Sequence, residues 1–151
     1  MQIGEVIGLN RNFVPPEAPV ANAAAAMVGA RCTFLPILNG NLPVGVVTRR
    51  DLLVRSRGLN VRRTPVSRIM SASPTCVSET ADPSEVARMM VATCFRHIVV
   101  VASDGSMVGV ATADCVRPFV ADREVSNALM SLACTGDMSP PPCFLNGNFL
   151  G

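Results

Sequence analysis

Thr48 and Asp51 are the residues of this sequence whose types and spacing best suit the binding of a ligand. Residues 44–47 are a β-branched apolar run that predicts a buried strand, and the residues after Thr48 have a helical pattern. The pair therefore lies at the start of a helix, where unpaired N–H groups and the helix dipole favour negative charge. The junction predicts a site for a phosphorylated, hydroxyl-bearing ligand. A helix N-terminal cap is the alternative role, since threonine and aspartate both favour that position.

The same pattern occurs a second time, 64 residues later. Thr112 matches Thr48 in this second copy. Asp114 comes one residue too early, so Cys115 takes the place that Asp51 has in the first copy. A thiol cannot replace a carboxylate as the acceptor for two hydroxyl groups. The sequence therefore predicts at most one good ligand site per chain.

The elements around these junctions are predicted in the same order, β-α-β-β-α, in both halves of the chain. In the first half they cover residues 13–14, 19–30, 33–38, 44–47 and 49–57. In the second half they cover residues 75–77, 82–93, 96–102, 107–111 and 113–118. Each half is too small to bury its own sheet, so we expect the two to pack sheet to sheet with pseudo-two-fold symmetry.

The repeat divides the chain into three regions. Residues 1–58 and 59–121 are the two α/β units, and residues 122–151 are predicted to hold a third amphipathic helix and a proline-rich tail. We expect the apolar end of the tail to dock on a folded surface. The helix at 19–30 has one predicted apolar face, formed by Val20, Ala23, Ala24, Met27 and Val28.

The composition predicts a folded protein without a membrane span. Of the 151 residues 49% are hydrophobic and the net charge is +2, but no apolar run approaches the length of about 20 residues that a bilayer needs. The first residues lack the basic region of a secretory signal peptide, so we expect a cytoplasmic location. The six cysteines are widely spaced and are expected to be reduced. No convincing nucleophile–base pair or metal-ligand set occurs, so we predict neither an enzyme nor a metal site.

Positive charge is concentrated in the basic segment, residues 49–68, which holds seven arginines and one acid, Asp51. This segment could be a solvated surface, a phosphate-binding element or a docking site for an acidic partner. The low net charge does not favour nucleic acid, whose binding would depend steeply on salt.

These duplicated elements resemble a tandem pair of CBS (cystathionine β-synthase) domains, an arrangement called a Bateman module. The resemblance covers roughly residues 3–120 and rests on four features together: Leu35-Pro36-Ile37, Ile98-Val99-Val100-Val101, Gly45-x-x-Thr48-x-x-Asp51 and Ile69-Met70. It implies a non-enzymatic regulatory module that binds AMP, ADP, ATP or S-adenosylmethionine in clefts between the two halves. No cofactor is required, although Mg²⁺ could accompany ATP.

The resemblance also implies roles for individual residues. In that family the Thr-x-x-Asp element holds the ribose, and Thr48 and Asp51 match it. Phosphate contacts come largely from the start of the second strand of each half, here Arg96-His97 and Thr33. A satisfied histidine at a strand edge is the alternative for His97. The candidate nucleotide-binding residues are Thr33, Thr48, Arg50, Asp51, Thr75, Arg96, His97 and Thr112.

Family members commonly pair through their helices, so the resemblance also implies a homodimer and a protein partner, as yet unidentified, that senses the ligand state. The alternative function is a structural or adaptor protein without a ligand. Such a protein would act through its dimer surface, the basic segment and the C-terminal tail.

Overall fold

The structure, a computed structural model, describes residues 1–7 and 12–134 of the chain, without the side chains of residues 132–134. These residues form two compact units. The first unit consists of residues 12–74, and the second unit consists of residues 1–7 together with residues 75–134. The expected docking of the tail concerns residues outside this described part of the chain.

Six helices and six strands occur in the described residues. The helices are α1 (Ile3–Val6), α2 (Val20–Ala30), α3 (Arg49–Val54), α4 (Pro83–Thr93), α5 (Ala113–Val116) and α6 (Arg123–Cys134). The strands are β1 (Phe34–Asn39), β2 (Leu42–Thr48), β3 (Ser71–Ala72), β4 (Cys76–Ser78), β5 (His97–Val101) and β6 (Met107–Thr112). Two 3₁₀ turns cover Val66–Arg68 and Arg117–Phe119. Among these elements no helix is long and apolar enough to cross a membrane.

The first unit is built on the antiparallel sheet β1-β2-β3, and Val14 pairs with Ile37 in a single parallel bridge. Its core combines sheet, helix and turn residues: Val14, Ala18, Val20, Ala23, Met27, Leu35, Ile37, Val47, Val66 and Ile69. The strand β3 passes so close to Gly45 that a Cβ there would lie 2.9 Å from the Ser71 carbonyl oxygen. A side chain at Gly45 would therefore force the two strands apart.

The second unit pairs β4 in parallel with β5, and β5 in antiparallel with β6. Its core also includes α1, because Ile3 is fully buried and its amide donates a hydrogen bond to the Ala81 carbonyl at 2.7 Å. The other core residues are Val77, Val86, Ala87, Met90, Ile98, Val100, Ala111, Ala113, Val116 and Leu129. The packing units thus differ from the sequence regions 1–58 and 59–121, which follow the repeat.

The strand registers of the two units show the repeat directly. Phe34 pairs with Thr48 in the first unit, and His97 pairs with Thr112 in the second. Each hairpin shifts register at the equivalent position, after Ile37 and after Val100. The chain between the next paired residues is one residue longer in the second hairpin, where Val101 pairs with Met107, than in the first, where Leu38 pairs with Pro43. The predicted duplication of an α/β motif, with its inserted residue in the hairpin, is confirmed.

Three features differ from the sequence prediction. Val28 was expected on the inner face of α2 but is 79% exposed. The two-residue strand β3 is too short for a period-2 pattern and was not predicted. Helix α3 ends at Val54 rather than at residue 57, because side chains replace amides as donors at its end. Ser56 Oγ donates to the Leu52 carbonyl, and Arg57 Nε donates to the Leu53 carbonyl at 3.2 Å.

Candidate functional site

The junction between β2 and α3 is a reciprocal helix cap formed by Thr48 and Asp51. Thr48 Oγ1 accepts a hydrogen bond from the Asp51 amide at 3.2 Å, and Asp51 Oδ2 accepts one from the Thr48 amide at 2.9 Å. This arrangement satisfies two N–H groups that a helix start otherwise leaves unpaired. The capping role that the sequence offered as an alternative is therefore present. Because the cap engages only Oδ2, it leaves the other carboxylate oxygen for different partners.

Asp51 is a nearly buried carboxylate, with 5% of its surface exposed. Burial raises the pKa of Asp51 above the usual aspartate value, while the hydrogen bond from the Thr48 amide and the charges of Arg55 and Arg50 oppose the rise. Arg55 Nε lies 3.5 Å from Asp51 Oδ1. The Thr48 amide and Arg55 hold the carboxylate from two sides, which makes it an oriented, charged hydrogen-bond acceptor.

The second junction, between β6 and α5, has the same cap with sulfur in place of the carboxylate. Thr112 Oγ1 accepts from the Cys115 amide at 3.2 Å, and Cys115 Sγ accepts from the Thr112 amide at 3.2 Å. The Asp114 side chain is 71% exposed and pairs with Arg117 at 3.7 Å. Cys115, and not Asp114, therefore occupies the position equivalent to Asp51, as the sequence offset indicated.

Thr33 and Arg96, the residues just before β1 and β5, lie beside the helix start of their own unit. The Thr33 carbonyl accepts a hydrogen bond from the amide of Arg49, the first residue of α3, at 3.0 Å. The Arg96 carbonyl accepts the equivalent bond from Ala113, the first residue of α5, at 3.0 Å. Thr75 lies just before β4, and its carbonyl accepts from the Val99 amide at 3.3 Å. Backbone hydrogen bonds thus join both helix starts to the strand starts for which the family resemblance implies phosphate contacts.

His97 is half-buried at the start of β5. Burial, together with the charge of Arg96, lowers the pKa of His97 to about 4, and Asp114 opposes this shift only weakly. Burial also lowers the pKa of Arg96, although a guanidinium stays charged at neutral pH. At pH 7 the His97 imidazole is neutral and can offer a phosphate a hydrogen bond but no charge.

The candidate residues fall into two groups, one in each unit. Thr33, Thr48, Arg50 and Asp51 belong to the first unit, and Thr75, Arg96, His97 and Thr112 belong to the second. Within the described ranges no cluster of three histidine, cysteine, aspartate or glutamate residues could hold a metal ion. Arg55 is absent from the residues predicted for the site, although the acid–arginine spacing of four residues on a helix is a recognisable signal.

The comparison with known proteins agrees with this geometry. The CBS domain family matches residues 4–58 and 66–121. The CBS domain-containing protein CBSCBSPB1 of Arabidopsis thaliana is 30% identical over 114 residues, which are 74% of this chain and 21% of that protein. This chain therefore spans about a fifth of the length of that curated relative.

Two solved structures are similar to the fold. A CBS domain protein of unknown function from Thermoplasma acidophilum has a TM-score of 0.74 at 19% identity, covering 91% of this chain and 78% of that one. A CBS domain protein from Pyrobaculum aerophilum, solved in complex with AMP, has a TM-score of 0.65 at 27% identity, covering 89% of this chain and 100% of that one. The two family matches, the duplicated register and the paired helix caps show that this chain belongs to the CBS domain family and carries two CBS domains in tandem.

Proposed function

We propose that this protein is a non-enzymatic regulatory module that binds an adenine nucleotide and passes its ligand state to a protein partner. The observation that carries the proposal is the Asp51 carboxylate, nearly buried and oriented at the start of α3 by Thr48 and Arg55. Asp51 accepts hydrogen bonds from the ribose hydroxyls in this proposal. The AMP complex of the Pyrobaculum aerophilum protein supports the choice of ligand class.

Candidate phosphate-binding residues occur in each of the two units. Arg50 is charged and close enough to Asp51 to influence its pKa, and Thr33 contacts the first residue of α3. These residues and the N–H groups at the start of α3 are candidate phosphate contacts in the first unit. Arg96 and His97 are the candidates in the second unit, with Arg96 as the charged member.

Adenine nucleotides are expected to stabilise the protein against heat. At about ten times its Kd, a ligand that binds only the folded state adds about 1.4 kcal/mol to the free energy of unfolding. Differential scanning fluorimetry with adenosine, AMP, ADP, ATP and S-adenosylmethionine, with and without Mg²⁺, would measure the shift in Tm. GMP is the matched control for the base. An unchanged Tm with every adenosine compound at millimolar concentration would contradict the proposal.

An adaptor function is the second candidate, and the charge distribution favours it. The first unit carries eight arginines and two acidic side chains, a charge of +6, whereas the described part of the second unit carries four arginines and eight acidic side chains, a charge of −4. Most arginines of the basic segment are exposed: Arg49, Arg55, Arg57, Arg62, Arg63 and Arg68.

An acidic protein partner would bind this surface in a salt-dependent way. Binding that disappears in Arg62→Glu/Arg63→Glu, without any response to nucleotides, would favour this function over nucleotide sensing.

We further propose that the protein is a homodimer. Several large apolar side chains on or next to helices are exposed in the single chain: Val28, Leu53, Val54, Phe119 and Met130. Pairing two copies through helical faces would remove part of this surface from water. Sedimentation velocity is expected to give twice the chain mass at micromolar concentration. A monomer mass that does not change with concentration would contradict the dimer.

A further inference from the structure

Arg55 contacts three groups at once in the first unit. Its Nε lies 3.5 Å from Asp51 Oδ1, and its Nη1 donates hydrogen bonds to the Ile69 carbonyl at 3.3 Å and to Ser71 Oγ at 3.4 Å. The planar guanidinium can serve a carboxylate and neutral acceptors together, because its donors point in fixed directions. Arg55 thus joins the ligand-site carboxylate on α3 to the chain that leads into β3.

From this geometry we infer that Arg55 is a positioning residue for Asp51, which keeps the carboxylate oriented and negatively charged for the hydroxyl groups of a ligand. The inference rests on the proposed nucleotide function. In this role Arg55 acts on the ligand through Asp51, which it joins to the segment at residues 69–71.

The need for such a residue follows from the burial of Asp51. Removing a carboxylate from water disfavours its charged form. Only 7% of the Asp51 side chain is exposed to water. The charged groups that influence it are Arg55 and Arg50, and the Thr48 amide adds a hydrogen bond to Oδ2. Arg55 is the larger of the two charge effects on the Asp51 pKa. Two acceptors outside α3, the Ile69 carbonyl and Ser71 Oγ, fix the position of Arg55.

The second CBS domain lacks both members of this pair. At the 64-residue offset, Cys115 stands in place of Asp51 and Phe119 in place of Arg55. Phe119 is exposed and can supply neither a charge nor a hydrogen bond. The carboxylate and its arginine are therefore present together in one domain and absent together in the other, which is the pattern of two residues that act as a unit.

The first test is the affinity for AMP as a function of pH, measured by titration calorimetry. Arg55→Gln is expected to weaken binding about five- to tenfold at pH 7, and to move the loss of binding on acidification to a higher pH.

Arg55→Lys should restore part of the affinity, because lysine returns the positive charge without the planar guanidinium group. Ser71→Ala removes one anchor and should act in the same direction with a smaller effect. Arg57→Gln, which alters an exposed arginine of the same helix end whose Nε donates to the Leu53 carbonyl, is the matched control.

The titration of AMP itself cancels in the ratio of wild-type to variant affinity at each pH. A merely structural role for Arg55 would lower Tm but would leave the pH dependence of this ratio flat. A flat ratio would therefore overturn the inference.

The second test needs no ligand. Carboxyl ¹³C NMR of the free protein is expected to give a higher pKa for Asp51 in Arg55→Gln than in the wild type, with no change in Arg57→Gln. An equal Asp51 pKa in the wild type and Arg55→Gln would overturn the role of Arg55, whether or not AMP binds. Failure of the wild type to bind any adenine nucleotide would instead overturn the proposed function, and the two failures are thereby distinguished.

Discussion

Asp51→Asn is expected to weaken AMP binding by about ten- to a hundredfold, which corresponds to about 1.5–3 kcal/mol. The carboxylate is a charged acceptor for two ribose hydroxyls in the proposed complex, and hydrogen bonds to charged groups are the stronger class. Asparagine keeps an oxygen that can accept from the Thr48 amide, which now bonds Oδ2 at 2.9 Å. The substitution therefore removes the charge while sparing the helix cap. Titration calorimetry on the folded variant measures the loss.

Asp114→Asn is the matched control for this experiment. Asp114 is the carboxylate nearest in sequence to the equivalent position of the second domain, but it is exposed and pairs with Arg117. Its replacement should change the affinity less than about twofold, since water screens the charge of an exposed carboxylate. Equal losses from the two substitutions, or no loss from Asp51→Asn, would show that the ribose assignment is wrong.

Acidification from pH 7 to pH 5 is expected to lower the free energy of unfolding by about 2 kcal/mol through His97 alone. The pKa of His97 is lowered to about 4 in the folded protein by burial and by Arg96, from about 6.5 in the unfolded chain. Between these two values the unfolded chain binds more protons than the folded protein. Stability must therefore fall as the pH drops through 6.5 towards 4.

His97→Phe isolates this contribution. Phe34 holds the equivalent register position in the first domain, opposite Thr48 as His97 is opposite Thr112, which makes phenylalanine the matched replacement. Urea unfolding of the wild type and the variant at pH 7 and pH 5 measures how much of the change in unfolding free energy is due to His97, since the carboxylates contribute equally to both proteins. The same loss of stability in both proteins would contradict the lowered pKa of His97 in the folded state.

The state of His97 also bears on the proposed ligand. A neutral imidazole adds no charge attraction, so the preference for ATP or ADP over adenosine should depend on Arg96 more than on His97 at pH 7. A phosphate that binds next to His97 would favour the imidazolium and raise its pKa. Nucleotide binding would then be accompanied by proton uptake near pH 5.

The sequence by itself determined the duplicated α/β motif, the order of its elements and the two Thr-led helix starts. These features depend on interactions within a few residues of each other, so local periodicity and side-chain chemistry are sufficient to reveal them. The cap at Thr48 is an example, because its Oγ1 accepts from the Asp51 amide only three residues away, at 3.2 Å. The replacement of Asp51 by Cys115 in the second domain was equally visible, since it needed only the correct offset.

Only the tertiary structure decided which of these residues are buried and what they contact. Arg55 donates hydrogen bonds to Ile69 and Ser71, which lie 14 and 16 residues away in the chain. Ser71 begins the strand β3, whose two residues are too few to show a sequence period. Val28 continues the apolar pattern of α2 yet remains exposed, because periodicity does not show where the packed surface ends. The charge states of Asp51 and His97 depend on the same packing, since desolvation is set by every group that surrounds a side chain and not by its neighbours in the chain.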